Sequence, residues 1–116
     1  MASNVSVKTQ PTTLTTSSVE TTIVTANPIT RTRLAGLIIS CITAGAVGTL
    51  TVRSATGGAA RLVIDFPSTA VVPTQPMLLP FSPSLEQREG PNNNWTIQSS
   101  SAANSFKVTA VYQDAE

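Results

Sequence analysis

An all-β fold, a single antiparallel β-sandwich of jelly-roll-like type with about seven strands and an extended N-terminal arm, is what this 116-residue sequence predicts. Three observations carry that expectation. Thr, Val and Ile make up close to a third of the chain, and β-branched side chains are stiff in helices but pack well on a pleated surface. Apolar residues alternate with polar ones in runs of five to ten, the period of a half-buried strand. Clusters of Gly, Pro and Asn then separate those runs at regular spacing, as in sandwiches. The length suits one core, so the expected division is an arm over 1–18 and a sandwich over 19–116.

Residues 1–18 are mostly Ser, Thr, Val and Gln with Pro11 and show no sustained alternation; such a stretch cannot fold alone and is expected to be mobile or laid across a neighbour. Val19 to Thr25 is the first expected strand, with Val19, Thr21, Ile23 and Thr25 on one face and Glu20, Thr22 and Val24 on the other. Arg33 to Ile42 is apolar at nearly every position and needs cover on both faces. Leu34, Ile38 and Ile42 share one of them, and Leu37, Ile39 and Cys41 the other. A turn around Ala44-Gly45-Ala46 leads to a half-buried hairpin, Leu50 and Val52 against Leu62, Ile64 and Phe66. All five are even-numbered, so face-to-face pairing without a bulge needs an odd loop. A three-residue loop over Gly57-Gly58-Ala59, one glycine left-handed, sets Arg53 opposite Val63 and Thr51 opposite Asp65.

Pro67 to Pro83 holds five of the eight prolines. Proline cannot donate to a ladder, so this is an edge strand or a surface crossover, with Met77, Leu79 and Phe81 turned inward around Leu78 and Pro80. Ser84 to Gln87 suits a short helical turn, and Gly90 to Asn94 is a loop. Trp95 and Ile97 then share a face, and Phe106, Val108, Ala110 and Tyr112 alternate with Lys107, Thr109 and Gln113 to close a second hairpin.

The composition removes most chemistry. No histidine is present, and with it go the commonest general base, metal ligand and nucleophile activator. The lone Cys41 sits in the most apolar run and reads as a small buried hydrophobe. Glu20, Asp65, Glu86, Glu89, Asp114 and Glu116 have no calcium-loop spacing. A glycosidase pair of Asp65 with Glu86 or Glu89 would be isolated acids at strand ends. The expectation is a non-enzyme without cofactors. Seven basic residues are scattered rather than striped and the net charge is +1, which argues against nucleic acid as a partner. The uncharged run Leu34 to Leu50 is 17 residues, short of the ~20 that span a bilayer, and is broken by glycines; no membrane partner is expected. The opening residues lack the apolar region of a secretory signal, so the product is expected to be made in the cytoplasm and to stay there. Trp95 after three asparagines could stack on a sugar ring, but its phase with Ile97 makes it a core plug.

What remains is interaction surface. The second apolar face of the Arg33–Ile42 strand asks for cover from the Pro-rich crossover or an identical neighbour. Val5, Val7, Pro11 and Leu14 of the arm, with Leu37 and Ile39, are therefore the expected partner-interface residues.

The Ser/Thr-rich arm, the strand Arg33-Leu34-Ala35-Gly36-Leu37-Ile38-Ile39-Ser40, the Gly-turned hairpin, the Pro-rich Pro76-Met77-Leu78-Leu79-Pro80-Phe81 and the closing runs Asn94 to Gln98 and Phe106 to Tyr112 together resemble the small all-β virion proteins of tailed bacteriophages, in particular capsid decoration or cement proteins. The resemblance covers the whole chain in style rather than through a diagnostic motif. It implies a homo-oligomer, a trimer by preference, bound to the major capsid protein on the outer surface of the virion. Phage tail, neck or fibre-base proteins share the style and are the alternative; a carbohydrate-binding sandwich using Trp95 is the second.

Overall fold

The computed structural model describes residues 7–14, 19–43, 48–66, 77–100 and 105–114. Among them are eight strands and no helix: β1 (Lys8–Leu14), β2 (Thr21–Val24), β3 (Thr32–Thr43), β4 (Gly48–Arg53), β5 (Ala60–Phe66), β6 (Met77–Glu86), β7 (Trp95–Ser99) and β8 (Ser105–Asp114). They form two four-stranded sheets, ordered β1-β8-β3-β6 and β2-β7-β4-β5, with every pairing antiparallel. Of the described strands only β4 and β5 are consecutive in one sheet; the others alternate between the sheets along the chain. This is jelly-roll-like connectivity, in which the inner faces of both sheets share one core.

That core is contiguous. Leu34, Leu37, Ile39, Phe106, Val108 and Ala110 of the first sheet meet Ile23, Val24, Leu50, Val52, Trp95 and Ile97 of the second, and none is more than 1% exposed. Burying a large apolar side chain contributes about 1.5–3 kcal/mol, so these residues dominate the favourable side of folding. Leu62, Ile64, Leu79, Phe81, Leu85 and Tyr112 pack around the margin. The inward alternation of Leu79 and Phe81 around exposed Leu78 and Pro80 follows the sequence expectation. The prolines of β6 are tolerated because β6 is an edge.

Bulges revise the expected faces. The register of β3 against β8 shifts between Leu34 and Gly36, so Ala35 is an extra residue and the inward parity changes from even to odd. Leu34 and Leu37 consequently both point into the core, and Leu37 and Ile39 are fully buried inside the chain. They are not a second face awaiting a partner, which corrects their assignment as interface residues. The same device acts in β2, where a shift between Thr22 and Val24 lets Ile23 and Val24 both be buried, while Val19 is 65% exposed. The face assignment over Val19 to Thr25 is corrected accordingly.

The β4–β5 hairpin keeps its expected parity and changes its register. Leu50 lies opposite Ile64, Val52 opposite Leu62, Thr51 opposite Val63 and Thr49 opposite Asp65, with a shift that leaves Arg53 opposite Ala60. The loop is longer than three residues because Ser54 and Ala55 are buried as part of it. Its tight turn has the Gly58 N–H donating to the Ala55 carbonyl at 2.9 Å and Gly57 at φ 73°, a left-handed value that glycine adopts without a Cβ penalty. The expected turn at Ala44-Gly45-Ala46 lies outside the described residues.

Three further expectations change. β7 and β8 are not a hairpin: they belong to opposite sheets and face each other across the core. Ser84 to Glu86 end strand β6 rather than turning as a helix. The segment read as an arm contains β1, paired in continuous register from Lys8 opposite Tyr112 to Leu14 opposite Phe106. A polar strand can hold this place because it is an edge whose core-facing side bonds to β2: the Gln10 amide pairs with Thr25, donating to Oγ1 at 3.1 Å and accepting from N at 3.0 Å, and Thr12 Oγ1 donates to the Thr22 carbonyl at 3.3 Å.

Candidate interaction surface

The outward face of the first sheet follows from the register. Pro11, Thr109, Ile38 and Leu78 form one row across its four strands, and Thr9, Val111, Gly36 and Pro80 the next. No charge falls in either row, Ile38 is half-buried, and Leu78 is 65% exposed. Gly36 lets β6 approach closely: a Cβ there would stand 3.1 Å from the Leu79 carbonyl oxygen. The outward face of the second sheet is more polar, with Arg53 Nη1 donating to Gln98 Oε1 at 2.8 Å beside Thr51 and Asp65.

Of the expected interface residues, Pro11 is exposed on this first face and Val7 is 60% exposed just before β1. Leu14 occupies a register position opposite Phe106. Val5 lies outside the described residues, and Leu37 and Ile39 are core. The structure therefore does not gather the six residues into one patch.

A hydrogen-bonded cluster at one end of the sandwich was not foreseen. Gln87, 3% exposed, accepts from the Thr32 N–H at 2.9 Å and donates to the carbonyls of Ser54 (3.3 Å) and Asn93. It joins the start of β3, the end of β4 and the approach to β7. Glu89 accepts from Ser54 Oγ, and Glu20 accepts from Thr96 Oγ1 and from the Gly57 N–H at 3.0 Å. Trp95 completes the end: its ring is fully buried and Nε1 donates to the Thr32 carbonyl at 3.3 Å. An indole with no exposed face cannot stack on a sugar, so the carbohydrate reading is corrected. At the same end, Lys8 Nζ meets Asp114 Oδ2 at 2.6 Å. That hydrogen bond, reinforced by the charge attraction, raises Lys8 above its ordinary pKa and lowers Asp114 below its own, against a smaller opposing effect of burial on the acid.

Among the described residues no three His, Cys, Asp or Glu side chains are grouped to hold a metal ion, and no helix is long and apolar enough to cross a membrane.

No family model matches the sequence, and no curated protein matches it. Solved structures do. A chain of the cyanophage Pam1 capsid asymmetric unit superposes on 95% of this chain and 84% of its own with a TM-score of 0.52 at 20% identity, a likeness of fold. A chain of the infectious bursal disease virus Gx strain covers 96% of this chain, which spans only 30% of that longer one, with a TM-score of 0.32 at 15% identity; an overlap that loose bears no weight here.

Proposed function

We propose that this protein is a non-enzymatic structural component of a phage virion, which binds the outer surface of the assembled capsid as a decoration or cement protein. The observation that carries the reading is the near full-length overlap of its jelly-roll-like sandwich with a chain of the cyanophage Pam1 capsid asymmetric unit. The uncharged outward rows of the first sheet, with Leu78 65% exposed, are in keeping with it, since the core of a protein–protein interface is depleted of charged residues. The mechanism is mass action: a protein that binds only the assembled shell stabilises it by about 2.7 kcal/mol per site at a free concentration a hundred times Kd, and symmetric copies multiply the effect. The homo-oligomer, a trimer in this reading, places one copy of that face against each of three capsid subunits.

The test mixes the purified protein with empty shells and, separately, with isolated tails of the phage that encodes it. Co-sedimentation with shells at a fixed number of copies, together with a higher shell melting temperature, is the expected result. Retention on tails alone would replace the capsid reading by the tail or neck reading.

A further inference from the structure

Between the start of β5 and the end of β6 lies an open pocket of about 680 Å³ lined by Arg33, Arg61, Pro83, Ser84, Leu85 and Glu86. Its charges do not balance. Arg33 Nη2 pairs with Glu86 Oε1 at 3.0 Å, and its Nε is shielded from solvent with no hydrogen-bond partner among the described residues. Arg61 is held by neutral groups: Nη1 donates to the Glu86 carbonyl and, at 3.5 Å, to Ser54 Oγ, and the guanidinium carbon stands 5.9 Å from the centre of the Trp95 ring. No described carboxylate forms an ion pair with it; Glu89 is linked to it only through the Ser54 hydroxyl. The Arg61 guanidinium is thus fixed in place with no described carboxylate in direct contact with it.

The position of Arg61 is built into the fold. Leu62 pairs with Val52 and Ala60 with Arg53, so Arg61 is the extra residue of a bulge, and bulges re-aim a side chain. Here the side chain is turned from the sheet toward the end of the sandwich, over Trp95. Beside it, β5 pairs with β4 alone among the described strands. Leu62, Val63 and Ile64 are all partly exposed along that edge, Val63 to 51%, and the strand has no proline to block a further chain.

We propose that this pocket binds the side-chain carboxylate of an aspartate or glutamate on a partner protein. A guanidinium with no described carboxylate in direct contact suits one carboxylate, whose two oxygens fit its planar donors, whereas a doubly charged phosphate would also meet Glu86. A protein rather than a free metabolite follows from the setting: the pocket is open to solvent and adjoins an apolar strand edge long enough to take an extended segment. The inference stands independently of the capsid reading.

The experiment titrates the ¹⁵N-labelled full chain with N-acetylglutamate N-methylamide, following the arginine Nε–Hε NMR signals, with the neutral glutamine analogue as control. Saturable shifts at Arg33 and Arg61 with the acid but not the amide are expected, and Arg61→Met weakens binding about tenfold or more, the scale of a lost hydrogen bond to a charged group. Trp95 fluorescence reports whether that variant is folded; if it is not, Arg33→Gln serves in its place and shows the same weakening. Equal shifts with acid and amide, or undiminished binding by the folded variant, would overturn the proposal.

Discussion

Replacing Gln87 by leucine tests the account of how the two sheets are tied at the loop end. The side chain is 3% exposed, and its amide makes three hydrogen bonds to backbone groups of three different segments. Leucine keeps the approximate volume and removes all three. Thr32 and Ser54 are fully buried, so the Thr32 N–H and Ser54 carbonyl lose their partner without access to water, at about 1–3 kcal/mol each. The Asn93 carbonyl is partly exposed and adds less. The expected loss is about 3–5 kcal/mol, a large share of the ~5–15 kcal/mol typical of a domain. In urea, with a slope of about 1–3 kcal/mol per molar, the midpoint should fall by roughly 2 M. The single tryptophan, buried next to this cluster, is the probe. Gln87→Glu separates donor from acceptor. Its carboxylate still accepts from Thr32 but donates nothing when ionised, and burial raises its pKa, so its deficit should grow as the pH rises above about 4.3 and shrink below it. A Gln87→Leu loss below ~1 kcal/mol, the size of a single ordinary hydrogen bond, would refute the clamp.

Deleting Ala35 should leave the fold intact, because it joins Leu34 and Gly36 in the unbroken register they already have against Tyr112 and Val111; deleting Ile38 instead puts the residues on either side of it out of phase and should give no cooperative thermal transition. Removing residues 1–14 strips β1 from β8 and should lower stability by about 2 kcal/mol or more, the net worth of several backbone hydrogen bonds, as read by urea unfolding; a detachable arm would leave the midpoint unchanged. Asp114 is held below its ordinary pKa by Lys8, so its contribution is present above the ordinary value of 3.8 and lost as the pH falls through the lower folded value. Amide exchange in β1 should accelerate over that acid range, and Asp114→Asn should abolish the dependence. Gly57→Ala should cost about 1 kcal/mol through its left-handed backbone, since a Cβ there meets nothing within 4 Å, and Gly57→Asn should cost less by the same denaturation assay.

Composition and alternation alone determined the all-β class, the confinement of the proline-rich β6 to an edge or a crossover with Leu79 and Phe81 inward, the alternation of Phe106, Val108 and Ala110, and the burial of Trp95 in phase with Ile97. Each is a local consequence of period-two geometry and of proline's missing N–H, so each is written into neighbouring residues. The bulges at Ala35, Ile23 and Arg61 were not legible, because an extra residue is defined only by the strand lying opposite. Without them Leu37 and Ile39 read as a spare apolar face, and Arg61 as one more scattered charge. The split of β7 and β8 between sheets, and the inclusion of β1, also depend on long-range pairing. Polar β1 is a strand because β8 offers it an edge and β2 accepts its side chains, not because of its own pattern. The Gln87 clamp and the Arg33–Arg61 pocket join residues from well-separated parts of the chain, and only tertiary structure brings such groups together, since neither spacing nor composition encodes which chain ends converge.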